Sequence, residues 1–177
     1  MITSPFETER ILLRPAKVTD AKAVYNNWTS DPDVSKFMRW NTHESIDDTI
    51  TWLASNEANA NNPDKTSWNW LFVLKEINEP IGSGGVFYNK THDMLELGYC
   101  LMKSRWGQGL ATEAARGILD FAAHELGARK FFVCHAKDNP ASGKVIEKLG
   151  FVYKNDGSYS SFDGKRTHNT REYFLIV

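Results

Sequence analysis

Cysteine is scarce in this chain, and neither sign of charge is in surplus. The 177 residues contain two cysteines, Cys100 and Cys134, each inside an apolar run. That excludes a disulfide scaffold and leaves two reduced, buried, structural thiols as the expectation. Lys and Arg number 21 against 22 Asp and Glu, for a net charge of -1. A nucleic-acid partner is not expected, because phosphate contacts call for a surplus of Lys and Arg. No apolar run approaches the ~20 residues that span a bilayer, so no membrane partner is expected either. The opening Met1-Ile2-Thr3-Ser4-Pro5 lacks the basic and apolar regions of a secretory signal, and a cytoplasmic location is the expectation. The five histidines do not cluster at ligand spacing, so no metal is expected. What is present is 41% hydrophobic and 12% aromatic residues. That is enough for the core of one domain covering residues 1–177, and it argues against disorder.

Hydrophobic periodicity divides the chain into strands and helices. Glu9 to Pro15 reads as a short strand with a proline stop. Asp20 is the expected cap of a helix carrying Ala21, Val24, Tyr25 and Trp28 on one face. Ser45 begins a second helix with Ile46, Ile50 and Leu53 at helical spacing, ending in a polar loop from Asn56 to Lys65. Trp68 to Leu74, Ile81 to Tyr88 and Met94 to Met102 form a three-stranded meander. An Ala-rich amphipathic helix follows over Gly109 to Leu126. Lys130 to Ala136 reads as a strand buried on both faces. A helix over Pro140 to Leu149 and strands at 151–153 and 173–177 close the chain. The pattern predicts one mixed α/β (α+β) sheet with helices on its faces.

The segment richest in chemistry is Arg105-Trp106-Gly107-Gln108-Gly109-Leu110-Ala111-Thr112-Glu113-Ala114, joining a strand to a helix. Its two glycines permit a tight turn and close approach to a ligand. The first N–H groups of the following helix have no intrahelical partner, and the helix dipole adds positive potential there. Together these features suit a phosphate or pyrophosphate. A P-loop would place Lys-Ser or Lys-Thr after Gly109, where Leu110-Ala111 stands. A dinucleotide fingerprint would place Gly or Ala at Thr112 and an acid at the end of the next strand, which contains none; Asp138 lies just beyond it.

The same loop resembles the acetyl-CoA-binding motif of the GNAT N-acetyltransferases, Arg/Gln-x-x-Gly-x-Gly/Ala, with Gly109 and Ala111 matching. Trp106 replaces the leading Arg/Gln, as in the branch resembling the ribosomal-protein N-terminal acetyltransferases. Glu9–Pro15, Leu95-Glu96-Leu97-Gly98-Tyr99, Asn139-Pro140-Ala141-Ser142 and Val145–Phe151 resemble further segments of that branch, in order. The resemblance covers nearly the whole chain. It implies a mostly antiparallel sheet of six to seven strands flanked by about four helices. It also implies transfer of an acetyl group from acetyl-CoA to a primary amine, either a protein N-terminal amine or a small molecule. Oligomeric state is open between monomer and homodimer.

An amine of pKa ~10 is only about one part in a thousand neutral at pH 7, so the site must supply a base or its equivalent. Glu96 is the candidate, a carboxylate within an apolar strand on the face shared with Gly98 and Cys100. For the leaving thiolate, many relatives use a tyrosine where Ile146 stands here. The resemblance offers Ser142 as donor instead. Asn139 reads as a helix cap, and the resemblance adds contact with the pantetheine arm. Gly107, Gln108, Gly109, Leu110, Ala111 and Thr112, flanked by Trp106, are expected to hold the pyrophosphate through backbone N–H groups. Leu101 and Met102 are expected to pair with the pantetheine amides, an N–H near Met102 facing the oxyanion that forms on attack. Lys144 is a candidate for the CoA phosphates. Trp28, Phe37 and Trp40 are candidates for the acceptor pocket, with core packing the competing reading for each. The absence of tyrosine at Ile146 leaves a rival reading, a non-catalytic acyl-CoA-binding or sensing module on the same fold.

Overall fold

A computed structural model describes residues 1–177. Eight strands form one sheet: β1 (Phe6–Glu7), β2 (Ile11–Arg14), β3 (Ser67–Leu74), β4 (Glu79–Asn89), β5 (Met94–Leu101), β6 (Lys130–Ala136), β7 (Val152–Ser160) and β8 (Thr167–Ile176). Their spatial order is β1-β2-β3-β4-β5-β6-β8-β7. Every neighbouring pair is antiparallel except β5 and β6. Five α-helices accompany the sheet: α1 (Ala21–Val24), α2 (Pro32–Ser35), α3 (Ile46–Ala60), α4 (Leu110–Glu125) and α5 (Pro140–Lys148). The mixed α/β expectation holds, with eight strands in place of six to seven and five helices in place of about four. β1 is too short to carry a periodic signal, and α2 is a single turn between the two N-terminal helices read from the sequence.

The sheet separates two cores. Alternate residues of β5 point to opposite faces. Leu97 and Leu101 join Ile118, Phe131 and Ile146 in the core beneath α4 and α5. Cys100 joins Val24, Trp28, Leu53 and Leu71 in the smaller core beneath α1 and α3. The three apolar residues Phe131, Phe132 and Val133 of β6 are all buried, as a strand covered on both faces requires.

Local chemistry sets the helix starts. Ser45 Oγ accepts from the Asp48 N–H, and the Asp48 carboxylate accepts from the Ser45 N–H at 2.9 Å, a reciprocal cap on α3. Asp20, expected to cap the first helix, makes no such bond. Its carboxylate takes two bonds from Arg14, at 2.6 and 2.8 Å, and one from the Lys17 N–H, tying the helix approach to β2. α1 then widens into a π-turn over Tyr25–Thr29.

β4 runs unbroken through Gly82, Gly84 and Gly85, where its neighbours β3 and β5 come too close for a side chain. A Cβ at Gly85 would lie 2.0 Å from the Trp68 carbonyl oxygen on β3. We expect Gly85→Ala to lower stability by about 1–3 kcal/mol, read as a lower urea midpoint with an unchanged slope. An unchanged midpoint would mean that β3 and β4 part without cost.

Candidate active site

β5 and β6 pair over two residue pairs only, Leu95 with Phe131 and Glu96 with Phe132. Beyond Glu96 the strands diverge, and an opening forms between Gly98–Leu101 on one side and Val133–Ala136 on the other. It belongs to a cavity of about 580 Å³ that reaches from Ser142 through the sheet to Phe37 and Trp40.

The lateral direction of each backbone group on β5 follows from one bond. The Met102 N–H donates to the Ile81 carbonyl at 2.8 Å. In an antiparallel pair successive residues alternate their bonding side, so Cys100 and Gly98 also face β4, while Tyr99 and Leu101 face the opening. The Met102 carbonyl accepts from Arg105 N–H at 3.0 Å. Met102 therefore has no N–H to offer a ligand or an oxyanion, contrary to the sequence expectation. The Leu101 carbonyl accepts from Trp106 Nε1 at 2.8 Å, so the donors facing the opening are the N–H groups of Tyr99 and Leu101.

Glu96 lies at the apex of the opening, 5% exposed, on the face beneath which α1 and α3 pack. Its Oε2 accepts from Asn89 Nδ2 at 2.6 Å, and Arg39 approaches Oε1 at 3.7 Å. Burial raises its pKa above the ordinary carboxylate value; Asn89, Arg39 and His92 act in the opposite sense, and Glu172 adds to the rise. Asn89 is also a turn residue, its Oδ1 accepting from the N–H of Thr91 and of His92.

Ser142 sits on the other face, in the first turn of α5. Asn139 caps that helix, its Oδ1 accepting from Ser142 N–H at 3.3 Å. The Tyr99 hydroxyl lies 3.0 Å from Ser142 Oγ and 3.3 Å from the Ser142 carbonyl. Burial pushes the Tyr99 phenol up to about 12. Ile146 is fully buried in the core and brings no hydroxyl to the site. Burial, followed by the charge of Glu96, pushes the Cys134 thiol up to about 12, and burial likewise raises Cys100. Both cysteines are therefore protonated at neutral pH, which suits the structural role expected of them. His135 is held by the Ala136 carbonyl and Tyr173 hydroxyl, a satisfied sheet residue.

Next to this opening lies the glycine loop. Gly107 and Gly109 have φ of +75° and +78°, a region that favours glycine. The first helical bond of α4 runs from Glu113 N–H to the Gly109 carbonyl, leaving the N–H groups of Leu110, Ala111 and Thr112 without a helical partner. Glu113, unremarked in the sequence, fixes this terminus. Its carboxylate accepts from Thr8 Oγ1, Arg10 N–H and Arg10 Nε at 2.6–2.7 Å. Arg10 reaches on to the Gln108 carbonyl at 3.1 Å. Lys144 is exposed on α5.

Of the three acceptor-pocket candidates, Phe37 and Trp40 line the cavity. Trp28 does not: it is fully buried in the core beneath α1 and α3, where its large apolar surface is better spent. The segment carrying Phe37 and Trp40 is held by Arg166, from the β7–β8 turn. Arg166 donates to the carbonyls of Ser35, Lys36, Met38 and Trp40 at 2.8–3.2 Å, and to Asn41 Oδ1 at 3.0 Å. Phe162 N–H donates to the Arg39 carbonyl, and Tyr159 Oη to the Phe37 carbonyl. Two segments remote in sequence thus interlock as one wall of the cavity.

The chain belongs to the GNAT acetyltransferase family: the model of the acetyltransferase (GNAT) domain matches residues 10–152. It is 29% identical over 150 residues to an uncharacterized N-acetyltransferase, p20, of Bacillus licheniformis, which covers 81% of this chain and 80% of that protein. The GNAT-family acetyltransferase from Bacillus anthracis superposes with a TM-score of 0.81 at 22% identity, covering 97% of this chain and 98% of that one. The Microcin C7 self immunity acetyltransferase MccE, in complex with acetyl-CoA and AMP, superposes with a TM-score of 0.79 at 16% identity, covering 96% and 94%. The protein is therefore an acetyltransferase, of a family that uses acetyl-CoA.

Removing Arg166 should free the wall. We expect Arg166→Ala to raise the amide hydrogen-exchange rates of residues 35–41 by tenfold or more, with β3–β5 amides unchanged. Arg166→Lys should restore little, because one ammonium cannot span the carbonyls that a planar fork reaches. Equal exchange in all three proteins would show that the wall holds without the guanidinium.

Proposed function

We propose that this chain moves the acetyl group of acetyl-CoA to a primary amine, of a protein N-terminus or a small molecule, by direct attack on the thioester. The observation that carries the reading is the opening past Glu96, with a carboxylate on one face and a hydroxyl pair on the other. A pantetheine arm laid between β5 and β6 would find the N–H groups of Tyr99 and Leu101 as donors to its amides. The N–H groups at Gly107–Thr112 suit its pyrophosphate. The acceptor amine enters from the side of Phe37 and Trp40.

In this scheme Glu96 accepts the amine's proton, in direct contact or across one water. The nitrogen then attacks the carbonyl carbon, a C–N bond forms and the C–S bond breaks. The nitrogen loses its second proton to solvent as the amide forms. The departing thiolate takes a proton through Ser142, which regains one from water, so that amide and free thiol are left and Glu96 returns its proton to solvent. When Tyr99 donates to Ser142 Oγ, the serine hydrogen is left for that purpose. A raised carboxylate pKa suits a base, since it brings the group nearer neutral pH.

The test is thiol release from acetyl-CoA over an amine panel. We expect Glu96→Gln to lower kcat by about 100-fold or more, and the wild-type rate to fall with acidification through the raised Glu96 pKa. Stability should move the other way. The folded state holds the Glu96 proton more readily than the unfolded chain, so its ionisation opposes folding as pH rises. Glu96→Gln should match or exceed the wild type in stability at pH 7 and lose that advantage toward acid. Unchanged kcat in a folded Glu96→Gln protein would remove Glu96 from the chemistry. The buried, apolar Ile146 favours a second reading, acyl-CoA binding without turnover. Calorimetric binding of acetyl-CoA with no thiol release on any amine would select it.

A further inference from the structure

The acceptor cavity carries an unbalanced set of charges. Its Lys, Arg, Asp and Glu lining residues are Arg39, Lys90 and Glu96. The lone carboxylate is already engaged by Asn89 and Arg39. An acceptor with two or more positive charges would meet one partly neutralised carboxylate and two cations, Arg39 and the exposed Lys90, in a half-enclosed space, which is repulsive. A polyamine or an aminoglycoside therefore fits poorly.

Arg39 has the opposite character. Its guanidinium carries five N–H donors. It lies 3.7 Å from Glu96, beyond a good hydrogen bond, stacks 5.1 Å from the Tyr159 ring and adjoins the Cys134 thiol. Its side chain remains 39% exposed. It is held in place with donors to spare, and Phe162 N–H and Arg166 fix the backbone that carries it. Once Glu96 takes a proton, Arg39 also loses its counter-charge, so an anion brought in by the acceptor would be bound more strongly as the reaction proceeds.

The spacing limits where that anion sits. Glu96 Oε1 and Arg39 Nη2 are 3.7 Å apart, so one small molecule that carries an amine and an anion on neighbouring atoms can reach both at once. An α-amino acid has this arrangement, with amine and carboxylate on one carbon. Phe37, Trp40, Trp52 and Phe87 then offer an aromatic wall to its side chain. We infer that the acceptor is a free α-amino acid with a large apolar side chain, its carboxylate held by Arg39 and its amine delivered to Glu96. The inference rests on the acetyl-transfer reading above. The products are the N-acetyl amino acid and free CoA thiol, and no further reactant is required. A protein N-terminus has an amide in place of this carboxylate and would forgo the Arg39 contact.

The experiment compares thiol release with L-phenylalanine, L-methionine and L-tryptophan, their carboxamides, peptides beginning with the same residues, and spermidine. We expect kcat/KM for the free acids to exceed that for the carboxamides and peptides by at least about tenfold, with spermidine inactive. The acid-to-amide ratio should collapse in Arg39→Gln and be partly kept in Arg39→Lys, with KM for acetyl-CoA unchanged. Taking the ratio cancels any effect of Arg39 on Glu96 itself. Amides or peptides as good as the acids, or a ratio indifferent to Arg39→Gln, would overturn the inference while leaving acetyl transfer intact. If no amine releases thiol, acetyl transfer fails, and calorimetry decides the site alone. Tighter binding of the free acid than its amide upholds the Arg39 contact, and equal binding overturns it.

Discussion

The site depends on where two parallel strands stop pairing. β5 and β6 share two residue pairs and then separate, so both present unpaired backbone edges inside the sheet. Buried N–H and C=O groups left unpaired are costly, and an edge of this kind is a template for another chain of amides. The protein keeps these edges because each strand is secured on its other side, β5 by β4 and β6 by β8. The glycine positions of β4 strengthen that hold by letting β3 and β5 approach closely.

From this divergence the two faces acquire different chemistry. Even-numbered residues of β5 put Glu96 on the acceptor side, and odd-numbered residues put Tyr99 against α5 and Ser142. A base and a hydroxyl pair therefore face one opening without neutralising each other. The carboxylate is buried at some cost, relieved in part by Asn89 and Arg39. Glu113 and Arg10 do the same service at the glycine loop, binding the start of α4 to the β1–β2 turn so that the open N–H groups hold their direction.

Much of this was legible in the sequence. The apolar periodicity of β3, β5, β6, α4 and α5 marks those elements to within a residue or two, because each is half or fully buried. Most of β7 and of β8 escaped for the converse reason. β7 is an edge strand exposed along most of its length, so residues such as Asn155, Asp156 and Ser158 show no apolar alternation. Glu96 stood out as a charge within an apolar strand, and the glycine loop by its composition. Arg39, Asn89 and Arg166 carry no such local sign. Arg166 meets the Ser35–Asn41 segment across more than 120 residues, and only the closed fold brings them together. For Trp28 the core reading holds and the pocket reading does not; sequence left both open because an aromatic near a pocket and an aromatic in a core look alike there. Met102 was misplaced because strand position does not tell which lateral side a backbone N–H faces until the register with β4 is known.

The central claim is that the open edge of β5 receives the amide-bearing arm of acetyl-CoA. Residue-resolved amide hydrogen exchange with and without CoA addresses it most directly. The account predicts new protection at the Tyr99 and Leu101 amides, and none at Met102, whose N–H is already bound to Ile81. Binding of CoA that leaves Tyr99 and Leu101 unprotected would contradict it.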